Sequence, residues 1–373
     1  MQSLPLCLRQ LPICWFERPM FVPVPLRAGL NPTRLVLPHD ADSVARYPTA
    51  LAYLIARFPD DAALLMAKIG AGEVFDSRGE PVTADSPYEP RGSLYLYRDP
   101  PVDEPLVPEL DDLVVLHRDE NLLVVDKPHN VATMPRGRWI TQTVLVHLRH
   151  TLELPDLSLV HRLDRLTAGM LLLTVRPQVR GAYQLLFERR QVAKEYEAVA
   201  PLPSPSLTFP QTVRSRIVKQ RGVLAAMEVP GEPNAESLID LAARDVARGL
   251  GLYRLEPRTG KTHQLRLHMA SLGLPILNDP FFSSTPPLGC VPGVTARTEV
   301  DESATATTGD GAEVSDMSGP PLQLLARSVS FADPLTGEYR EFRSRRQLAV
   351  WAADRAVPGD VRGSSHQGET IGE

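Results

Sequence analysis

Two rhythms of apolar and polar positions run along the chain. Short apolar or alternating runs at Leu113–Leu116, Leu122–Val125, Leu157–Val160, Met170–Val175, Val192–Ala200 and Tyr253–Pro257 predict strands. Helical spacing governs Thr49–Phe58, Asp60–Ile69, Thr143–Leu152, Arg180–Arg190 and Thr262–Leu272, the last stopped by Gly273. It puts Leu51, Leu54 and Phe58 on one face, Val144, Leu145 and Leu148 on another, and Tyr183, Leu186 and Phe187 on a third. His117–Asn121 reads as the turn between the first two runs of the main strand series. Gly72–Phe75 and Ser93–Tyr97 read as strands of a smaller unit. Thr212–Met227 spaces Arg214, Arg216, Lys219 and Arg221 in a partly alternating, β-like way. That spacing suits either a basic ribbon against a nucleic-acid backbone or a solvated strand face.

Composition divides the chain. Residues 1–34 lack periodicity and predict a disordered leader. Residues 35–99 predict a small α/β domain. Residues 100–110 open on several prolines and acids, a linker pattern. Residues 111–352 carry the main strand series. They are interrupted at 283–320 by a Ser-, Thr-, Gly- and acid-rich stretch too poor in apolar groups to order itself. Residues 353–373 predict a disordered tail. The 373 residues are 43% apolar and 23% charged, as in ordinary globular proteins. The three cysteines, Cys7, Cys14 and Cys290, are far from any CxxC spacing, which excludes a zinc ribbon or disulfide scaffold and predicts a reducing compartment, the cytoplasm. No apolar run reaches the length of a membrane span. The net charge of −5 is concentrated in the 35–110 and 283–320 stretches, which leaves the motif-bearing remainder basic and suited to phosphate.

The chemistry centres on His161-Arg162-Leu163-Asp164-Arg165-Leu166-Thr167-Ala168-Gly169, a turn between two buried runs. A carboxylate between arginines stays ionised and oriented, as a reactive group or as a structural ion pair. A metal hydrolase is disfavoured. His263 and His268 are five apart and point about 140° from each other on a helix, whereas zinc helices use i, i+4. No P-loop, dinucleotide fingerprint or GxSxG elbow occurs.

The HRLDR stretch resembles the HRLDRxTSG signature of the RluA family of pseudouridine synthases. Lys194-Glu195-Tyr196 resembles the family's K-x-Y motif, Glu256–His268 its TGRTHQIRVH motif, and Asn121–Pro128 its opening strand. The resemblance covers 113–282 and, more weakly, 322–343. It implies an α+β catalytic domain on a mixed, mostly antiparallel sheet, with the small N-terminal α/β domain as a degenerate RNA-binding-like appendage. It implies isomerisation of specific uridines to pseudouridine in structured rRNA or tRNA, without cofactor or metal, by a monomer needing no protein partner. Asp164, Tyr196 and Arg266 would be catalytic, with Arg266 pairing with Asp164 and Tyr196 stacking on the flipped base. Arg162 would fill the vacated space and Leu267 line the pocket. Arg165 would hold phosphate or a structural ion pair, and His161 and Thr262 would contact substrate. The alternative is an inactive RNA-binding protein of the same fold. Three departures stand out: Asn130 for Gly, Ala168 for Ser, and Asn278-Asp279-Pro280-Phe281 in place of Gly-Asp-x-x-Tyr.

Overall fold

A computed structural model describes residues 24–220, 223, 225–283 and 319–352. The leader before residue 24, nearly all of the 283–320 stretch and the tail from 353 lie outside the described residues. In chain order the strands are β1 (Thr33–Val36), β2 (Val74–Phe75), β3 (Ser93–Leu96), β4 (Val114–Arg118), β5 (Leu122–Lys127), β6 (Ser158–Leu159) and β7 (Ala168–Thr174). They continue as β8 (Ala193–Pro201), β9 (Gln211–Val218), β10 (Met227–Val229), β11 (Ala235–Asp245), β12 (Leu250–Pro257), β13 (Leu324–Ala332) and β14 (Tyr339–Arg343). The helices are α1 (Ala41–Arg46), α2 (Ala50–Arg57), α3 (Ala62–Gly70), α4 (Val144–Thr151), α5 (Arg180–Glu188), α6 (Gln264–Ser271) and α7 (Ala349–Ala352). Among the described residues no helix is long and apolar enough to cross a membrane.

The fold is α+β, on a mixed and mostly antiparallel sheet. Its strand order is β10-β9-β11-β12-β8-β13-β7-β5-β4, with β14 on β13 and β6 on β7. Among the described strands of this sheet only β13 and β7 pair in parallel, Leu325 with Ala168 and Ala326 with Gly169. Gly169 has φ +110, and a Cβ there would meet the Ala326 backbone. Strands β5 and β7 are buried along their whole length, which explains their unbroken apolar runs. Their alternate side chains feed two cores. Leu123, Val125, Leu171 and Leu173 pack with Val144, Leu145 and Leu148 of α4. Leu122, Val124, Met170 and Leu172 pack with Tyr183 and Leu186 of α5. Thr143 caps α4 by accepting from Val146 N–H, as its position before the periodic run predicts. Farther along the sheet, Leu265 and Met269 of α6 pack on Ala198, Ala200, Tyr253 and Leu255.

The first three strands form a separate sheet, β1-β3-β2. Leu54 of α2, Phe58 at its C-terminal end, and Leu65 and Ile69 of α3 pack on it. β1 begins inside the stretch expected to be a disordered leader. It forms by pairing with β3, Leu35 with Leu94 and Val36 with Ser93, and Leu35 is its buried residue. Leu30 packs on Ile140 and Val146, and Arg149 Nη1 donates to Gly29 O over 3.0 Å. The 100–110 stretch is also docked. Glu104 accepts from the backbone N–H groups of Ile140, Thr141 and Gln142 at 2.7, 2.8 and 2.9 Å.

Candidate active site

The turn between β6 and β7 is held from below by the turn after β5. Lys127, wholly buried at the end of β5, donates from Nζ to the carbonyls of Pro128, Val131 and Arg165 over 2.8, 2.9 and 3.1 Å. Three acceptors match the three donors of an ammonium. Burial pulls its pKa well below the ordinary value, and the nearby Asp164 charge opposes that pull. Thr133 Oγ1 donates to Leu163 O over 2.7 Å, and His129 Nδ1 lies 2.7 Å from Leu166 O. The residues on either side of Asp164 therefore have their carbonyls clamped, which fixes where its carboxylate projects. Asn130 completes the clamping turn in left-handed geometry, φ 63, where the family has Gly.

Tyr196 comes from β8, near the centre of the sheet, opposite Leu255 on one side and Ala326 on the other. Burial, and then the Asp164 charge, push its pKa above the ordinary phenol value, so it stays a neutral hydroxyl. Lys194, two residues earlier, shares its face of the strand. Asp164, Tyr196 and Arg266 line one cavity of about 540 Å³ together with His161, Arg162, Thr262 and Lys194.

His161 lines this cavity but is engaged within the fold. Its Nε2 accepts from Leu172 N–H over 3.2 Å, and its ring stacks on Phe187 at 4.7 Å. Burial and the Lys194 charge lower its pKa to about 3, so the ring is neutral.

The motif after β12 does not form helix from Thr262. His263 is left-handed at φ 57, and α6 begins at Gln264. Gln264 staples the preceding loop. Its Oε1 accepts from Thr259 Oγ1 and Lys261 N–H at 2.7 and 3.0 Å, and its Nε2 donates to Glu236 O and Ser237 Oγ at 2.9 and 2.8 Å. Neither this role nor that of the Lys127 clamp was read from the sequence. Their signal was a long polar side chain at the end of a largely buried element.

Two expectations are corrected. Arg266 does not pair with Asp164. Nε and Nη2 donate to Asp279 Oδ2 and Oδ1 over 2.7 and 2.6 Å, and the guanidinium lies 5.3 and 5.2 Å from the Phe281 and Phe282 rings. Asp279 is buried and also accepts from Phe281 and Phe282 N–H, so it is the fixed acceptor that a buried arginine meets first. Leu267 does not line the cavity. It packs with Ile217, Ala226, Ala235 and Phe282, while Leu265, about 200° around the helix, faces the cavity. Arg165 lies off the cavity lining. It donates to Asn130 O over 3.1 Å and sits 5.2 Å from the Trp139 ring centroid.

Among the described residues no group of His, Cys, Asp and Glu could hold a metal ion. The arrangement offers an oriented carboxylate, a neutral phenol and a cation-rich rim, which suits covalent or electrostatic work on an anionic, base-bearing substrate.

Residues 121–271 match the family model described as RNA pseudouridylate synthase. The chain is 31% identical over 182 residues to the dual-specificity RNA pseudouridine synthase RluA of Escherichia coli O6:H1, covering 46% of this chain and 78% of that one. It is 34% identical over 203 residues to an RNA pseudouridine synthase of Synechocystis sp., covering 54% of this chain and 68% of that one. It is 30% identical over 175 residues to a mitochondrial tRNA pseudouridine(32) synthase of Saccharomyces cerevisiae, covering 46% and 37%.

Proposed function

The chain belongs to the RluA-type RNA pseudouridine synthases, which isomerise uridine in RNA, and we propose that Asp164, Tyr196 and Arg266 carry the reaction in this member. The observation that carries this reading is their convergence on one cavity, with Asp164 on a turn whose neighbouring carbonyls are clamped. The reaction breaks the bond between the ribose C1′ and N1 of uracil, rotates the base, and bonds C5 to C1′. The proton on C5 leaves and N1 gains one, so atoms balance without a redox partner. Asp164 acts on C1′ as nucleophile or as the counter-charge to the sugar cation. Tyr196 stacks on the base and, as a neutral phenol, relays the C5 proton. Arg266, locked to Asp279, shapes the cavity wall and sets the field around Asp164.

A uridine inside a duplex must be flipped out, at a few kcal/mol. Arg162, exposed at the rim, occupies the vacated space. Thr262 and His161 bound the cavity. The substrate is structured RNA, either large-subunit rRNA or tRNA, modified in the cytoplasm by a monomer. The small N-terminal sheet is a packing appendage with a degenerate RNA-binding form.

The test is Asp164→Asn, which keeps shape and removes the charge. We expect no detectable pseudouridine from the folded variant on RNA from a strain lacking the gene, with RNA retention preserved because phosphate contacts dominate affinity. Turnover near that of the unaltered protein would overturn the assignment.

A further inference from the structure

We propose that Lys194 is the receptor for one phosphodiester of the bound RNA, gripping the backbone beside the uridine that enters the cavity. This rests on the RNA reading above. Lys194 sits on β8 two residues before Tyr196, so both side chains leave the same face of the strand and both line the cavity. Among the described residues its Nζ makes one hydrogen bond, to Thr259 O at 3.3 Å. An ammonium carries three donors. The contrast with Lys127 is direct, since there all three donors meet carbonyls. Lys127 is built into the fold, whereas Lys194 has capacity left on the cavity side.

The surroundings identify the missing acceptor as an anion. Besides Arg266, which Asp279 neutralises, the lining carries Arg162, Arg190, Lys194, Arg258 and Lys261 against the carboxylates of Asp164 and Glu188. Arg258 is drawn outward to Glu236, 3.2 Å away. His161, beside Lys194, is held neutral and brings no competing charge. Burial, and then the like charge of Arg190 at the end of α5, lower the Lys194 pKa to about 8. A partly desolvated ammonium next to a guanidinium is unfavourable until a negative charge arrives. A uracil carbonyl could accept a hydrogen bond but would leave the repulsion between the two cations. A phosphodiester oxygen satisfies the donors and offsets both charges.

The test uses the full-length protein and a short RNA hairpin with a uridine-rich loop, with each loop phosphodiester replaced in turn by a neutral methylphosphonate. Lys194→Met keeps the aliphatic stem, and Lys194→Arg keeps the charge. We expect Lys194→Met to weaken retention about tenfold and to lower the slope of log affinity against log salt by about 0.7. We expect Lys194→Arg to restore most of it. One methylphosphonate position should weaken the unaltered protein by a similar factor and cost nothing further in Lys194→Met.

A second arm needs no variant. Lys194 binds phosphate as the cation, so affinity is full below pH 8 and falls as pH rises through that value, about tenfold between pH 7 and pH 9. His161 and His263, with pKa values of about 3 and 4, and Tyr196, pushed above the ordinary phenol value, do not titrate in this window. The hairpin carrying the critical methylphosphonate should lose this pH dependence. Unchanged affinity in a folded Lys194→Met variant would overturn the proposal. So would a loss that couples to no methylphosphonate position, the result a uracil carbonyl would give. If Lys194→Met fails to fold, the pH arm decides alone. Failure of the unaltered protein to retain either the hairpin or total cellular RNA would instead strike the RNA reading.

Discussion

Arg266 and Asp279 form a two-point ion pair sealed from water, with side-chain exposures of 2% and 0%. The pair joins the start of α6 to the Asn278–Phe282 loop, and the same carboxylate caps that loop through two backbone N–H groups. Among the described residues its charges are matched only by each other, so removing one leaves the other buried without its counter-charge.

Asp279→Ala is therefore expected to cost about 3–5 kcal/mol of stability. Urea melts of the variant against the unaltered protein measure this. A loss below about 1 kcal/mol would mean that water or another acceptor reaches Arg266. Product formation by the still-folded fraction should also fall, because Arg266 no longer has a fixed place on the cavity wall.

Tyr196→Phe keeps the ring and removes the hydroxyl. RNA retention should hold, since base stacking is worth about 1–3 kcal/mol and survives the change. Product formation should slow by about a hundredfold or more, the usual reach of proton-transfer groups. Filter retention beside tritium release from the uracil carbon separates the two effects. Full activity would remove the hydroxyl from the mechanism.

Gly169→Ala tests the parallel seam between β7 and β13. A methyl group there would lie 2.8 Å from the Ala326 nitrogen and closer still to its carbonyl oxygen, on a backbone with φ +110. Strain and clash together should cost about 2 kcal/mol or more. Thermal melting of the variant checks this, and a melting point within a degree of the unaltered protein would refute it.

His268 is fully buried between Ser215 Oγ and Ser237 Oγ, at 3.1 and 3.0 Å, and burial lowers its pKa from 6.5 to about 4. Below pH 6.5 the unfolded chain takes up a proton that the folded chain refuses. Stability is thus full above pH 6.5 and falls as pH drops toward 4, by at most about 1.4 kcal/mol per pH unit for this group. His129 and His263, both at about 4, act in the same direction. Urea midpoints at pH 7 and pH 5 should show the loss, and His268→Gln should reduce it by close to one proton's share.

The periodic segments were legible because each carries its own core face. Val144, Leu145 and Leu148 are buried as their spacing predicts, and so are Tyr183 and Leu186. Several elements escaped, among them the short helix α1 and the strands β1 and β11. β1 is only four residues long and depends on β3 for its pairing, which local spacing cannot show. β11, from Ala235 to Asp245, alternates buried and half-buried positions up to Asp240, but its buried face is Ala235, Ser237 and Ile239, which gives no apolar alternation in the sequence, and it was not read as a strand. At the site, the ordered motifs pointed to Asp164, Tyr196 and Arg266, and all three line one cavity. The partner of Arg266 was missed because two carboxylates lay within conceivable reach and only packing chooses between them. Leu267 was expected from the resemblance alone, and spacing in the chain could not show that it turns to Ile217 and Phe282 while Leu265 faces the cavity.

The strand between the Tyr196 strand and the strand that follows Asp164 is β13, which comes from far downstream in the chain. During synthesis, β8 with its neighbours and β7 with its neighbours emerge first, as two half-sheets each ending in an open edge. Open edges invite pairing with other chains. Until Leu324–Ala332 has left the ribosome and inserted, Asp164 and Tyr196 have no fixed distance between them. Competence to modify RNA therefore arrives late and all at once, with a single strand acting as the closing stitch.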